Sequence, residues 1–144
     1  MAEIVYADAN IYLNLFFEED GRWLSPYEEA INFFNRVDNG EFKLGYSRLV
    51  ISEVKNKLRE KGKDETIMDN FLAEFEKKDL LVKAEQTADD EKQARKISPK
   101  HYQDPLHAIL AVKISAKALV SRDNDGFPEE CIEMIYVCKP ESLP

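Results

Sequence analysis

No apolar run in the 144 residues reaches the length of about eighteen that a membrane-spanning helix needs. The first apolar stretch is interrupted by Glu3 and Asp8, so it does not read as a signal peptide, and the expected compartment is the cytoplasm. Cysteine is scarce: Cys131 and Cys138 are too few for a disulfide framework, lack zinc spacing, and read as small residues in or beside the core. Internal repeats, low-complexity segments and linkers are missing too, which leaves a single domain over 1–144 as the simplest organisation. Positive charge is in deficit, with a formal net charge of −8. A uniformly acidic surface repels a phosphate backbone, which argues against general nucleic-acid binding. A nucleic-acid enzyme is still compatible, provided its carboxylates gather around cations and its basic residues lie elsewhere.

A hydrophobic share of 44% beside 33% charged residues is that of an ordinary folded globule. Its organising stretch is the beginning. Ile4-Val5-Tyr6-Ala7 is a β-branched and aromatic run that ends in Asp8, and a helix-like apolar segment (Ile11, Tyr12, Leu15, Phe16) follows almost at once. Asp8 therefore stands at the carboxyl end of a strand, where open α/β sheets bind ligands. It is either a site residue or a loop aspartate; Asn10 can cap the helix by itself.

Along the chain, Glu18-Glu19-Asp20-Gly21 reads as a polar break. Ser25-Pro26-Tyr27-Glu28 reads as the capped start of a second helix, which Asn39-Gly40 stops. Phe42 to Tyr46 is expected as a second strand leading into a third helix at Ser47, with Val50, Ile51, Val54 and Leu58 as its apolar stripe. Gly62 ends that helix, and Asp64 or Thr66 starts a fourth carrying Ile67, Phe71, Leu72 and Phe75. Leu80 to Lys83 reads as a strand and Thr87 to Ile97 as an exposed helix. Asp104 reads as the N-cap of a buried helix with Pro105 in its first position. Ala118-Leu119-Val120 is a short buried strand, Ser121 to Gly126 a turn, and Ile132 to Cys138 a last strand. Strands alternating with helices imply a three-layer α/β/α domain around a mostly parallel sheet of four to five strands.

In such a sheet Asp8 and Asp123 lie on one edge, and a helix returning antiparallel to the strands starts there with Asp104. Glu53 lies at the border of its helix's stripe and reaches the same crevice if that helix packs beside the first strand. Acids converging in a partly dry cleft repel one another by kilocalories each, and cations are the remedy. With oxygen donors and no histidine or cysteine cluster, Mg²⁺ or Mn²⁺ is favoured over zinc. Such a site clamps a phosphate, lowers the pKa of a water and stabilises a leaving oxygen. His107 is on the same side as Asp104, but a lone histidine in an apolar helix reads as structural.

Asp8 after a hydrophobic strand, Glu53 in the third helix, Asp104 heading a buried Ala-rich helix, and Ser121-x-Asp123-x-Asp125 before Phe127 together resemble the PIN domain. So does the ending Val137-Cys138-Lys139-Pro140-Glu141. The resemblance implies a metal-dependent ribonuclease in which Asp8, Glu53, Asp104 and Asp123 hold Mg²⁺ or Mn²⁺, with Asp125 as an extra acid. Asn10 and Ser121 would orient ligands or the scissile phosphate. Hydrolysis by a metal-activated water would leave 5′-phosphate and 3′-hydroxyl ends. Gly126 lengthens the usual Asp-Phe pairing by one residue and puts the orientation of Asp125 in question. Many small PIN domains are toxins of VapBC-type pairs, which implies an antitoxin peptide over the acidic cleft and homodimerisation, suited by apolar faces on the second and fourth helices.

Two basic stretches, Lys55 to Lys63 and Lys92 to Lys100, read as solvated helix faces, and the first is also a candidate guide for RNA. Two alternatives stand beside the ribonuclease. One is a non-catalytic PIN-like module that binds RNA or protein. The other is a haloacid-dehalogenase-like phosphatase with Asp8 as nucleophile, a chemistry that prefers a second aspartate where Asn10 stands.

Overall fold

The computed structural model describes residues 2–17, 24–123 and 126–144. Its centre is β1 (Glu3–Ala7), where Val5, Tyr6 and Ala7 are wholly buried. A strand covered on both faces needs apolar residues without alternation, and Ile4 to Ala7 supplies them. Around it stand β2 (Phe42–Ser47), β3 (Leu81–Ala84), β4 (Ala118–Val120) and β5 (Val137–Cys138). The order is β3-β2-β1-β4-β5 and every pairing is parallel, with Val5 level with Leu44 on one side and Ala118 on the other. The sheet is thus entirely parallel and has five strands.

The helices are α1 (Ala9–Phe16), α2 (Leu24–Asp38), α3 (Arg48–Glu60), α4 (Thr66–Glu76), α5 (Ala88–Ile97), α6 (Gln103–Lys113) and α7 (Glu129–Met134), with a 3₁₀ turn at Pro140–Ser142. Helices α1 to α4 pack on one another and onto β2 and β3, whereas α5, α6 and α7 form a second group with α6 against β3 and β4. Gly45 lets the second group approach: a Cβ there would meet the Ile114 side chain at 2.5 Å. In the first group Tyr12, Phe34, Phe71, Phe75 and Phe16 form a cluster of tilted and edge-on rings.

Local signals explain most boundaries. Ser47 caps α3 by accepting from the Val50 amide, and Thr87 with Asp90 forms a capping box on α5. Gly62, at φ +73°, takes the left-handed conformation that follows α3. The expected polar break at Glu18 to Gly21 lies outside the described residues. The second helix begins at Leu24, so Ser25 and Pro26 belong to its first turn rather than preceding it.

The last expected strand is corrected. Residues 129–134 are helical, and only Val137 and Cys138 pair with β4. Phe127, Cys131 and Ile135 are the buried positions, spaced by four, while Ile132, Met134 and Tyr136 face outward. That is a helical period, and Glu129 and Glu130 suit the helix start that Pro128 precedes. Asp104 is corrected too. Helix α6 starts at Gln103 after Tyr102, so Asp104 sits in its first turn and makes no cap bond. The Tyr102 carbonyl accepts from the Leu106 amide, which begins the helix two residues before the expected cap could.

The Tyr12 hydroxyl is buried and, among the described residues, finds no hydrogen-bond partner. An unsatisfied buried hydroxyl costs about 1 to 3 kcal/mol. Tyr12→Phe is therefore expected to raise Tm by about 3 to 10 °C in a thermal melt; a fall would mean that the hydroxyl is satisfied.

Candidate active site

Asp8 follows β1 directly, and its own side chain caps α1: Oδ1 accepts from the Ala9 amide at 2.7 Å. Asn10, expected as the cap, is used otherwise. Its Oδ1 accepts from the Arg122 amide and its Nδ2 donates to Ser121 Oγ, both at 3.2 Å. Ser121, wholly buried after β4, donates to Asp8 Oδ2 at 3.0 Å and accepts from the Asp123 amide at 3.2 Å. Asn10 and Ser121 thus tie the end of β1 to the turn after β4, and the Ala9 amide and Ser121 between them fix the two oxygens of Asp8. Asp123 is exposed and lies in that turn, three residues beyond β4. Asp125 lies outside the described residues.

Glu53 projects from α3 toward α6, as its border position allows. Asp8, Glu53, Asp104 and Asp123 line one cleft of about 430 Å³, together with Asn10, Asn56, Lys57 and Glu60. The four expected acids are therefore brought together. Among the described residues no hydrogen bond engages the half-buried Asp104 carboxyl. Burial and then the negative charge of Asp8 push its pKa up to about 6; His107 pulls against them, and Asp123 and Glu53 add smaller upward pushes. The cleft holds more negative charge than its own residues neutralise.

His107 and Tyr6 are the residues that sequence reasoning missed. His107 is wholly buried on α6, and its Nε2 lies 2.7 Å from Glu53 Oε1 and 3.4 Å from Asp8 Oδ1. Its Nδ1 is 2.8 Å from the Tyr6 hydroxyl, which is 2.7 Å from Ser47 Oγ. With a neutral imidazole one donor chain satisfies all four groups: Ser47 to Tyr6, Tyr6 to Nδ1, and Nε2 to Glu53. Burial alone would lower the imidazole pKa, but the charges of Asp8, Glu53 and Asp104 and the Glu53 hydrogen bond outweigh it and hold the pKa above its ordinary value. The same burial, opposed by the bond to Ser47, holds Tyr6 protonated far above the normal tyrosine range. The one available sequence signal was His107 standing three positions after Asp104, on the same face of a helix.

The donor set suits a divalent cation. Asp8, Glu53 and His107 each offer one ligand atom, all within 4.8 Å of one another, and Asp104 and Asp123 share the cleft. Beside the expected carboxylates stands one imidazole, His107, behind Glu53.

No protein-family model matches the sequence, and no curated protein matches it either. Solved structures do match. One is VapC20 of Mycobacterium tuberculosis, a sarcin-ricin loop cleaving toxin: TM-score 0.63, 16% identity, 87% of this chain and 97% of that one covered. Another is VapBC2 from Rickettsia felis, bound to a DNA fragment from its promoter: TM-score 0.60, 16% identity, 93% and 96% covered. The chain has the VapC-like PIN fold. Among the described residues no helix is long and apolar enough to cross a membrane.

Proposed function

We propose that this chain is a metal-dependent endoribonuclease, the toxin of a VapBC-type toxin–antitoxin pair working in the cytoplasm. The observation that carries the reading is the gathering of Asp8, Glu53, Asp104 and Asp123 in one cleft of a VapC-like fold. These four residues would hold Mg²⁺ or Mn²⁺, with Asp125 as a further acid. When bound, such a cation neutralises phosphate charge, lowers the pKa of a water and stabilises the leaving oxygen.

The chain's own residues supply order. Asp8 is pinned by the Ala9 amide and Ser121, so its carboxylate needs no reorganisation on binding. His107, itself held by Tyr6, fixes the Glu53 carboxylate from behind. Asn10 secures the turn that carries Asp123. The phosphatase alternative loses support, because that chemistry gives Glu53 no part and Asn10, where it prefers an aspartate, is engaged with Ser121 and the Arg122 amide.

An antitoxin would lay a peptide over the cleft, with an arginine or lysine meeting the carboxylates. The VapBC2 likeness supports such a partner. Homodimerisation would use the apolar groove of about 250 Å³ between α2 and α4, lined by Ile31, Phe34, Phe71 and Phe75.

Incubation with single-stranded RNA and Mn²⁺ or Mg²⁺ is expected to give metal-dependent fragments with 5′-phosphate ends; RNA left intact under both metals rejects the reading. His107→Leu is expected to lower kcat and Mn²⁺ affinity by about 10- to 100-fold, as loss of a residue orienting a ligand does. His107→Gln, which keeps a donor near Nε2, should recover part of both. Equal damage by the two changes in Mn²⁺ titrations would contradict the positioning role.

A further inference from the structure

A chain of net charge −8 with an acidic cleft needs some surface that attracts a polyanion. The basic stretch on α3 supplies little of it: among the described residues Lys61 is exposed without an acidic partner, but its neighbours are engaged. Lys55 pairs with Asp69 at 2.9 Å, Lys57 with Glu60 at 3.2 Å and Arg59 with Glu65 at 2.8 Å, while Lys63 donates to the Phe16 carbonyl. Two of these acids, Asp69 and Glu65, come from α4 and the residue just before it, so the charges are largely spent within the fold.

The stretch on α5 differs. Lys92 and Lys96 are one helical turn apart on the same face, Lys100 lies in the link to α6, and all three are exposed. Among the described residues none of the three has an acidic partner. Between them Arg95 pairs with Glu91 at 2.9 Å and lays its guanidinium over the Tyr102 ring, 3.9 Å from the centroid. Tyr102 immediately precedes α6, two residues from Asp104. At the opposite end of α6, Lys113 reaches Asp90 in the first turn of α5 at 2.8 Å. The two helices are therefore antiparallel, and the basic end of α5 adjoins the end of α6 that carries Asp104. A depression of about 470 Å³ on α5 is lined by Lys92, Arg95, Lys96, Ala88 and Glu91. The helix dipole accounts for cations in the last turn, but not for Lys92 in mid-helix or Lys100 beyond it.

We propose that Lys92, Lys96 and Lys100 form a track for the phosphates of the RNA strand, leading along α5 past the Arg95–Tyr102 stack to the acidic cleft. The proposal rests on the ribonuclease reading. Unpaired lysines offer point charges to phosphate without breaking an internal ion pair, and the half-exposed Arg95 side chain presents a guanidinium on which a base can stack.

The test measures cleavage of a labelled 20-nucleotide single-stranded RNA and of a dinucleotide, with constant Mn²⁺ and about 50 to 200 mM KCl. In the variant Lys92→Gln/Lys96→Gln/Lys100→Gln, kcat/KM for the 20-mer is expected to fall about tenfold, through KM, with kcat kept. The slope of log kcat/KM against log salt should become shallower by about 2, since each single-strand phosphate contact contributes about 0.7. The dinucleotide, too short to reach the track, should be cut as before, and Lys55→Gln/Arg59→Gln should leave the slope unchanged. An unchanged slope in the triple variant overturns the track while leaving the ribonuclease standing. Unchanged RNA kinetics with lost binding of poly-L-glutamate would assign the strip to an acidic protein instead, and also overturns it. A wild type that cuts neither substrate removes the ribonuclease reading and the track together.

Discussion

Asp8→Asn is expected to reduce RNA cleavage by about a thousandfold or more, some 4 kcal/mol of barrier, without unfolding the protein. Asp8 is the most enclosed of the four acids at 8% exposure, and both its oxygens are oriented by hydrogen bonds. The amide keeps one carbonyl oxygen to accept from the Ala9 amide, so the start of α1 survives. What disappears is the negative charge that a cation would meet at the sheet edge. Relief of carboxylate repulsion offsets the loss of the Ser121 hydrogen bond to Oδ2, so the melting temperature of the metal-free protein should stay within a few degrees of the wild type. Cleavage kinetics and thermal melts on one preparation check both halves. Full activity in Asp8→Asn, or inactivity that merely tracks unfolding, would contradict the assignment.

The second large effect is on stability. Mn²⁺ at about a hundred times its dissociation constant contributes about 2.7 kcal/mol to the folded state, which should raise Tm by about 5 to 10 °C at neutral pH. The gain should shrink with falling pH, because the ligands must be deprotonated to bind. Asp104 sets the window. Its folded pKa is raised from 3.8 to about 6, so protonation favours the metal-free fold. That contribution is fully present below about 4 and is lost as pH rises through 6. After allowance for screening of a half-exposed group it amounts to about 1 to 2 kcal/mol. His107, also raised, acts with the same sign. Asp104→Asn should therefore melt higher than the metal-free wild type at pH 7, flatten the dependence between pH 4 and 7, and lose most of the Mn²⁺ gain. Calorimetric melts across pH with and without Mn²⁺ read this directly; a Tm indifferent to metal would contradict it.

How far the sequence foretold this site depends on where each signal is written. Asp8, Asp104 and Asp123 announce themselves because each follows an apolar strand or opens an apolar helix, and a parallel sheet carries all three positions to one edge. Glu53 was legible only as a residue at the border of a stripe. His107 was not legible as a site residue, since its meaning comes from Tyr6, 101 positions away, and Glu53, 54 away. The pairing of the basic run on α3 was hidden for the same reason: Asp69 and Glu65, which pair with Lys55 and Arg59, lie outside the run. Helix α7 was hidden because Ile132 to Cys138 is apolar enough for a strand, and only knowing which residues are buried separates a period of four from a period of two.

Anomalous diffraction from a crystal soaked in Mn²⁺ would examine the cleft most directly. The expected result is a single strong peak among Asp8, Glu53, Asp104 and Asp123, about 2 to 2.5 Å from carboxylate oxygens of at least two of them. A well-ordered crystal soaked at millimolar Mn²⁺ with no peak in that cleft, or with its peak elsewhere, would contradict the cation-holding role on which the ribonuclease reading depends.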